Sequence, residues 1–252
     1  MGKALKQIFV IFLFLCISNS IFAEETISLT NGEWLPYLSE TVKHYGVASR
    51  IVTEAFALEG IKVEYIFLPW KRAYESAKHG EYDGSVIWSR SPDREKDFYY
   101  SDVVIDGISV FFHLKSYPFD WKTIQDLKGI QVGGTLGYRY ALLEEAEKSG
   151  LIKIERAKTD KHNFSKLLYG HIEIFQLDRE IGYYLLNKFF KPEEVQLFTH
   201  HPKAIVGDTY HLILSKKKEK NKRLIVLFNK GLKRLRESGK IDQYLAESRR
   251  GE

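Results

Sequence analysis

The chain has 252 residues, 44% hydrophobic, 28% charged and 14% aromatic, with one Cys, one Met, six Pro and a formal net charge of +5. This apolar content excludes low-complexity disorder, the composition is not collagen-like, and a single Cys excludes a disulfide-stapled scaffold. The mild positive charge is too diffuse to point to a nucleic acid.

Lys3 and Lys6 precede an apolar run from Ile8 to Ile17, followed by Ser18-Asn19-Ser20 and Ile21-Phe22-Ala23. A charged start, a short apolar stretch and a small residue read as a signal peptide over residues 1–23, cleaved after Ala23. The run is shorter than the ~17–25 residues of a membrane span. Leu15 is large where a lipid-attachment motif around Cys16 would have a small residue. The expectation is a secreted, soluble protein without stable membrane insertion. Cleavage removes the one Cys, so cysteine nucleophiles and thiolate metal sites are excluded.

Beyond Ala23, strand-like and helix-like segments alternate. Ile27 to Thr30 predicts a strand, and Asn31 to Tyr37 a loop. Apolar residues at Ala48, Ile51, Val52, Ala55 and Phe56 keep helical spacing up to the stop at Gly60. Ile61 to Leu68 predicts a strand, Trp70 to Ala77 a helix, and Ser85 to Trp88 a short buried parallel strand. Ser91-Pro92 reads as a helix start, and Val103 to Leu114 as one long strand. After Asp126-Leu127-Lys128-Gly129 the pattern begins again. Ile130 to Val132 predicts a strand, Gly133 to Gly137 a glycine-rich loop and Tyr140 to Lys148 a helix. Strands over 152–155 and 172–176 then alternate with helices over 164–168 and 179–190. A strand over 210–215 and an amphipathic helix through Leu224, Phe228, Leu232 and Leu235 complete the series. Two successive βα arrays with no flexible linker predict an α/β fold of two lobes, each with a parallel-type sheet, joined by ordered strands.

The stretch Asp83 to Glu95 runs strand, polar loop, helix start. Ligands of open α/β sheets settle at the carboxyl ends of strands, and a helix start offers free N–H groups to an anion. Arg94 adds a planar fork suited to a carboxylate. The competing possibility is a surface ion pair with Asp93 or Asp97.

These residues resemble the bacterial family 3 periplasmic solute-binding proteins, the group that includes polar amino-acid receptors of ABC importers. Pro69-Trp70-Lys71-Arg72-Ala73, Gly80-Glu81-Tyr82-Asp83-Gly84, Ser91-Pro92-Asp93-Arg94-Glu95 and Phe98-Tyr99-Tyr100-Ser101-Asp102 carry the likeness. Asp126 to Gly133 and Gly170-His171-Ile172-Glu173 followed by Asp178 extend it over nearly all of residues 24–245. The resemblance implies a type II periplasmic-binding-protein-like fold. Its first lobe would hold residues 24–114 and 209–252, its second residues 115–208, with a two-strand hinge between them. It further implies Arg94 on a ligand carboxylate, Asp178 on an ammonium and an aromatic cover from Trp34 or Tyr37. Ser89 and Ser91 would assist Arg94, Trp88 would supply contact area and Tyr138 a hydrogen bond. A zwitterion needs one cation and one anion from a buried site.

The sequence departs from the family in places. Tyr138 follows Gly137 where the family has Ser or Thr, the helix after Gly46 has Ala48-Ser49-Arg50 where an acid is common, and Glu173 replaces an Asp. Asp178 also reads as a cap for a helix starting at Arg179, and Trp70 as either core or cleft. His200-His201 read as a solvated loop, and the lysine run 216–223 as a solvated turn and helix start. Gly133 to Gly137 lacks the spacing of a phosphate loop or dinucleotide fingerprint. No cofactor, metal or catalytic residue is expected. The predicted partners are a small solute and an inner-membrane ABC permease, and the protein is expected to be a monomer. Two alternatives use the same scaffold. One is a periplasmic dehydratase with Glu173 or Asp178 as general acid beside Arg94. The other is a receptor for a separate membrane sensor.

Overall fold

A computed structural model describes residues 25–136, 138, 140–205 and 207–252. The expected signal peptide lies outside the described residues. Among them, ten strands and nine α-helices form two five-stranded sheets with flanking helices.

The first sheet grows from β1 (Glu25–Asn31), which pairs in parallel with β2 (Ile61–Phe67) on one side and β3 (Gly84–Ser89) on the other. The helix α1 (Val47–Ala57) connects β1 to β2, and α2 (Trp70–Lys78) connects β2 to β3. A short helix α3 (Pro92–Asp97) leads into β4 (Phe98–Asp106). The strand expected over 103–114 is in fact two. Gly107 interrupts it, and β5 (Ser109–Leu114) enters the second sheet, so residues expected with the first lobe pair with the second.

There β6 (Gln131–Thr135) pairs in parallel with β7 (Lys153–Ala157) and β8 (Ile174–Asp178), while β5 runs antiparallel to β8 and to β9 (Phe198–His200). Gly133 and Gly134, expected in a loop, are strand residues. A Cβ on Gly133 would lie 2.3 Å from Ile172, and one on Gly134 2.7 Å from Ile154. The helices α4 (Ala141–Lys148), α5 (Asp160–Leu168), α6 (Arg179–Phe189) and α7 (Pro192–Val195) belong to this half.

The chain then returns: β10 (Thr209–Ser215) inserts antiparallel between β3 and β4, followed by α8 (Asn221–Glu237) and α9 (Lys240–Arg249). Both sheets are therefore mixed, with parallel centres β2-β1-β3 and β7-β6-β8. The two passages between the sheets touch. The Gly107 amide donates to the Asp208 carbonyl at 2.9 Å, and a Cβ on Gly207 would lie 1.4 Å from the Gly107 carbonyl oxygen.

The core below the first sheet buries Ile27, Leu29, Val52 and Phe56 against Phe228 and Leu232, and under the second Phe112, Phe164 and Phe175 pack together. Helix α8 approaches α1 so closely that a Cβ on Gly231 would lie 2.0 Å from the Ala55 carbonyl oxygen. The lysine run forms the expected turn and helix start, but it is not solvated throughout. Lys218 and Lys220 approach Oδ1 of the buried Asp83 at 3.1 and 2.9 Å, while the Ser28 amide donates to its Oδ2. Nor are the two histidines in a solvated loop. His200 ends β9 beside the Tyr183 hydroxyl at 2.7 Å, and buried His201 sits 3.0 Å from Asp120.

Candidate functional site

The carboxyl ends of β1 and β3 lie side by side, as the parallel pairing of these strands requires, and the loops leaving those two ends build the site. Along β3 the register slips: Trp88 faces His211 and Ser85 faces Ile213, so β3 carries an extra residue relative to β10. Ile87 absorbs the slip at φ 49°, a left-handed conformation that a β-branched residue adopts only when its surroundings impose it. This bulge re-aims the strand end that carries Trp88 and Ser89.

Ser91 caps α3, its hydroxyl accepting from the Arg94 amide at 3.4 Å, with Pro92 at the first helical position. That places Arg94 beside the strand end. Its Nη1 donates to the Ser89 carbonyl at 2.8 Å and to the Ser89 hydroxyl at 3.1 Å. The guanidinium carbon stands 5.1 Å from the centre of the Trp88 ring and 5.9 Å from that of Tyr74. The alternative ion pairs are otherwise engaged, since Asp93 holds Lys96 at 2.8 Å and Asp97 holds Lys78 at 3.1 Å. Among the described residues Arg94 has no carboxylate partner. A half-buried guanidinium, fixed by two neutral oxygens and two rings, is thus left with an uncompensated charge facing open space.

That space consists of two adjoining cavities of about 350 and 530 Å³, both lined by Trp70, Trp88 and Arg94. The smaller is completed by Glu33, Trp34, Ile87, Ser89 and Tyr210, the larger by Lys71, Tyr74, Ser91 and Asp93. Trp70 does both: it lines the cleft and packs against the core from its edge. Its indole lies over Gly32, where a Cβ would come within 2.3 Å of the ring, and its Nε1 donates to the Glu33 carbonyl at 3.3 Å. Trp70 meets Trp88 edge-on, with centroids 5.3 Å apart, and the Trp88 Nε1 donates to the Ser85 hydroxyl at 2.8 Å. Trp34 packs 5.0 Å from both Tyr37 and Tyr210.

Tyr37 is not a cover residue in this structure. It is fully buried, and its hydroxyl donates to Asp178 Oδ1 at 2.8 Å. The same oxygen accepts the Glu180 and Ile181 amides at 3.0 and 3.1 Å, so Asp178 caps α6. Asp178 lines neither cavity and stands behind Trp34 and Tyr37. Burial pushes its carboxyl up to about 6, against the amides and the Tyr37 hydroxyl, which favour the charged form. Beside it, buried Glu180 takes Arg249 of α9 in a two-pronged pair at 2.5 and 2.6 Å. Tyr37–Asp178 and Arg249–Glu180 therefore both link an element packed on the first sheet to α6 of the second.

Tyr138 is bound within its own half. Its hydroxyl donates to Asp160 Oδ2 at 3.1 Å, while Thr135 donates to Asp160 Oδ1 at 2.6 Å. Burial raises Asp160 and, with the Asp160 charge, raises Tyr138 too. The adjacent Gly137 lies outside the described residues. Sequence reasoning missed Glu33, Tyr210 and Asp160. Tyr210 enters only through its pairing with Ser89, a long-range register that leaves no local signal. Asp160, directly after the cap Thr159, carried a helix-start signal that went unused.

For the dehydratase alternative, Glu173 precedes β8 and accepts the Gln131 amide and Asp178 ends that strand; neither lines the two cavities beside Arg94. No group of His, Cys, Asp and Glu among the described residues could hold a metal ion, and no described helix is long and apolar enough to cross a membrane.

Comparison with known proteins agrees with this architecture. The second substrate-binding domain of GlnP from Lactococcus lactis, in open conformation, superposes with a TM-score of 0.73 at 20% identity, over 89% of this chain and 95% of that one. A polar amino acid ABC uptake transporter substrate-binding protein from Streptococcus thermophilus gives 0.74 at 20% identity, over 91% and 88%. The unliganded, open L-cystine solute receptor of Neisseria gonorrhoeae gives 0.72 at 18% identity, over 91% and 94%. A comparison with curated protein sequences finds no match. The profile of the bacterial extracellular solute-binding proteins, family 3, matches residues 29–247, and the chain belongs to that family.

Proposed function

We propose that this protein is a secreted receptor that captures a small carboxylate-bearing, amino-acid-like solute and presents it to an ABC importer in the inner membrane. Arg94 carries the reading. A cation held by neutral oxygens, without a carboxylate partner among the described residues and open to a cavity, leaves room for an anion from outside. Family membership, and structural relatives that bind polar amino acids and L-cystine, support an amino-acid-like solute.

The first lobe comprises the first sheet with α1, α2, α3, α8 and α9, and the second lobe the elements from β5 to β9. The solute docks on Arg94 first, with Ser89 and Ser91 beside it, and Trp34 and Trp88 supplying contact area. The second lobe then swings in about the paired passages at Gly107 and Gly207, bringing Tyr138 against the solute. Occupancy shifts the population to the closed form because only that form contacts the solute from both sides.

Thermal unfolding of residues 24–252 against the common L-amino acids, dicarboxylates, polyamines, short peptides and prephenate tests the proposal. A ligand at 100 times its Kd adds about 2.7 kcal/mol, or roughly 5–11 °C for a chain of this size. One or a few carboxylate-bearing solutes should produce such a shift. A well-folded protein that responds to polyamines alone, or to no carboxylate, contradicts it.

A further inference from the structure

The cavity beside Arg94 is unusual in its balance of groups. Three indoles, from Trp34, Trp70 and Trp88, and the Tyr210 ring make up most of its wall, and the one acid among its lining residues is Glu33. Its neutral oxygen acceptors are largely taken, which leaves the Glu33 carboxylate as the one strong acceptor for the donors of an ammonium. The Ser89 carbonyl accepts from Arg94 and from the Tyr100 hydroxyl, the Ser89 hydroxyl accepts from Arg94, and the Glu33 carbonyl accepts from Trp70. Glu33 Oε1 takes the Glu40 amide at 2.7 Å, and Glu33 has no ion-pair partner among the described residues. Asp178, which the family resemblance assigns to the ammonium, lies behind Tyr37 with Oδ1 already accepting three donors.

A primary ammonium carries N–H donors that each need an acceptor once water is removed. A fully alkylated ammonium has none, and it is attracted to indole faces, which is how aromatic cages recognise quaternary nitrogen. The geometry points to Glu33 and the Trp34–Trp70 walls as a subsite for an alkylated ammonium, so that the solute is a betaine-like zwitterion with its carboxylate on Arg94. This deepens the preceding reading and rests on its assignment of Arg94.

The test pairs methylated zwitterions with their amine parents in calorimetric titrations of residues 24–252: glycine betaine with glycine, proline betaine with proline, and carnitine with its demethylated amine. At least one methylated member should bind about tenfold or more tighter than its parent. Glu33→Gln and Trp34→Leu should each weaken that binding about tenfold while leaving the unliganded melting temperature near wild type. Should Trp34→Leu fail to fold, Glu33→Gln, an exposed and isosteric change, decides. Parents binding as tightly as, or tighter than, their methylated partners in every pair overturn the inference, and so does binding by no member of any pair. A simple carboxylate that binds wild type but not Arg94→Ala would then leave the Arg94 assignment standing. Absence of any Arg94-dependent carboxylate binding removes both.

Discussion

Asp178 shows how one carboxylate can be read two ways from sequence and resolved by its bonds. It caps α6 and supports Tyr37, and burial pushes its carboxyl up to about 6 from an ordinary value of about 3.9. A raised carboxylate pKa means the folded state holds a proton that the unfolded chain releases. This group's contribution to stability is therefore greatest below about pH 4 and falls as pH rises through about 6. Asp178→Asn keeps an acceptor for the amides and mimics the neutral acid. Melting curves from pH 4 to 7 should show wild type losing ground to the variant as pH rises. A wild-type-minus-variant difference independent of pH would show that Asp178 is not held in its neutral form. Arg94 was legible because cap, proline and arginine sit within four consecutive residues, Ser91 to Arg94. The depth of Tyr37 was not, since an aromatic two residues before Ser39 reads the same whether it faces a cleft or, as here, a carboxylate from the other half of the molecule.

At the level of elements, helical periodicity placed α1, α2, α6 and α8 within a few residues of their observed limits, because each has one apolar stripe and a clear stop. The strands were harder. Residues 103–114 are apolar enough to read as one strand, but Asp106-Gly107 is a turn signal in their middle that went unused, and there, where Gly107 meets Asp208, they break into β4 and β5. The mixed character of both sheets depends on where β5 and β10 insert, which no local pattern specifies. Helix α9 and the short β9 went unread, the first because its apolar stripe is thin. The contact between α1 and α8 depends on Gly231. Alanine there gains about 1 kcal/mol of helix propensity, but its Cβ would sit 2.0 Å from the Ala55 carbonyl oxygen, with backbone on both sides. We expect Gly231→Ala to be destabilising by a net ~1–3 kcal/mol, seen as a fall of about 2–12 °C in melting temperature. An unchanged or higher melting temperature would mean the helices can separate freely.

For the whole molecule, the proposed function ties recognition to a change of shape. Arg94, the proposed solute-facing cation, lies on the first half, and the chain crosses to the second half at Gly107 and Gly207. Tyr37–Asp178, Arg249–Glu180 and the donation from Asn187 Nδ2 to the Arg249 carbonyl join α6 to that first half. Breaking a buried pair such as Arg249–Glu180 leaves an uncompensated charge, so the halves are held in register by interactions that any closure must preserve or exchange. Fold and family were legible because motif order along the chain survives even when the sheet register does not. The walls of the cavity were only partly legible, because they are assembled from residues of α2, β3, β10 and the loop after β1.

The most direct test of the central claim is calorimetric titration of wild type and Arg94→Ala with the carboxylate solute that gives the largest thermal shift, alongside its primary amide. Wild type should bind the acid and discriminate strongly against the amide. Arg94→Ala should lose about 2–5 kcal/mol, roughly 30-fold to several-thousand-fold in Kd, and most of that discrimination. An Arg94→Ala protein that is folded and binds the acid as tightly as wild type would contradict the account.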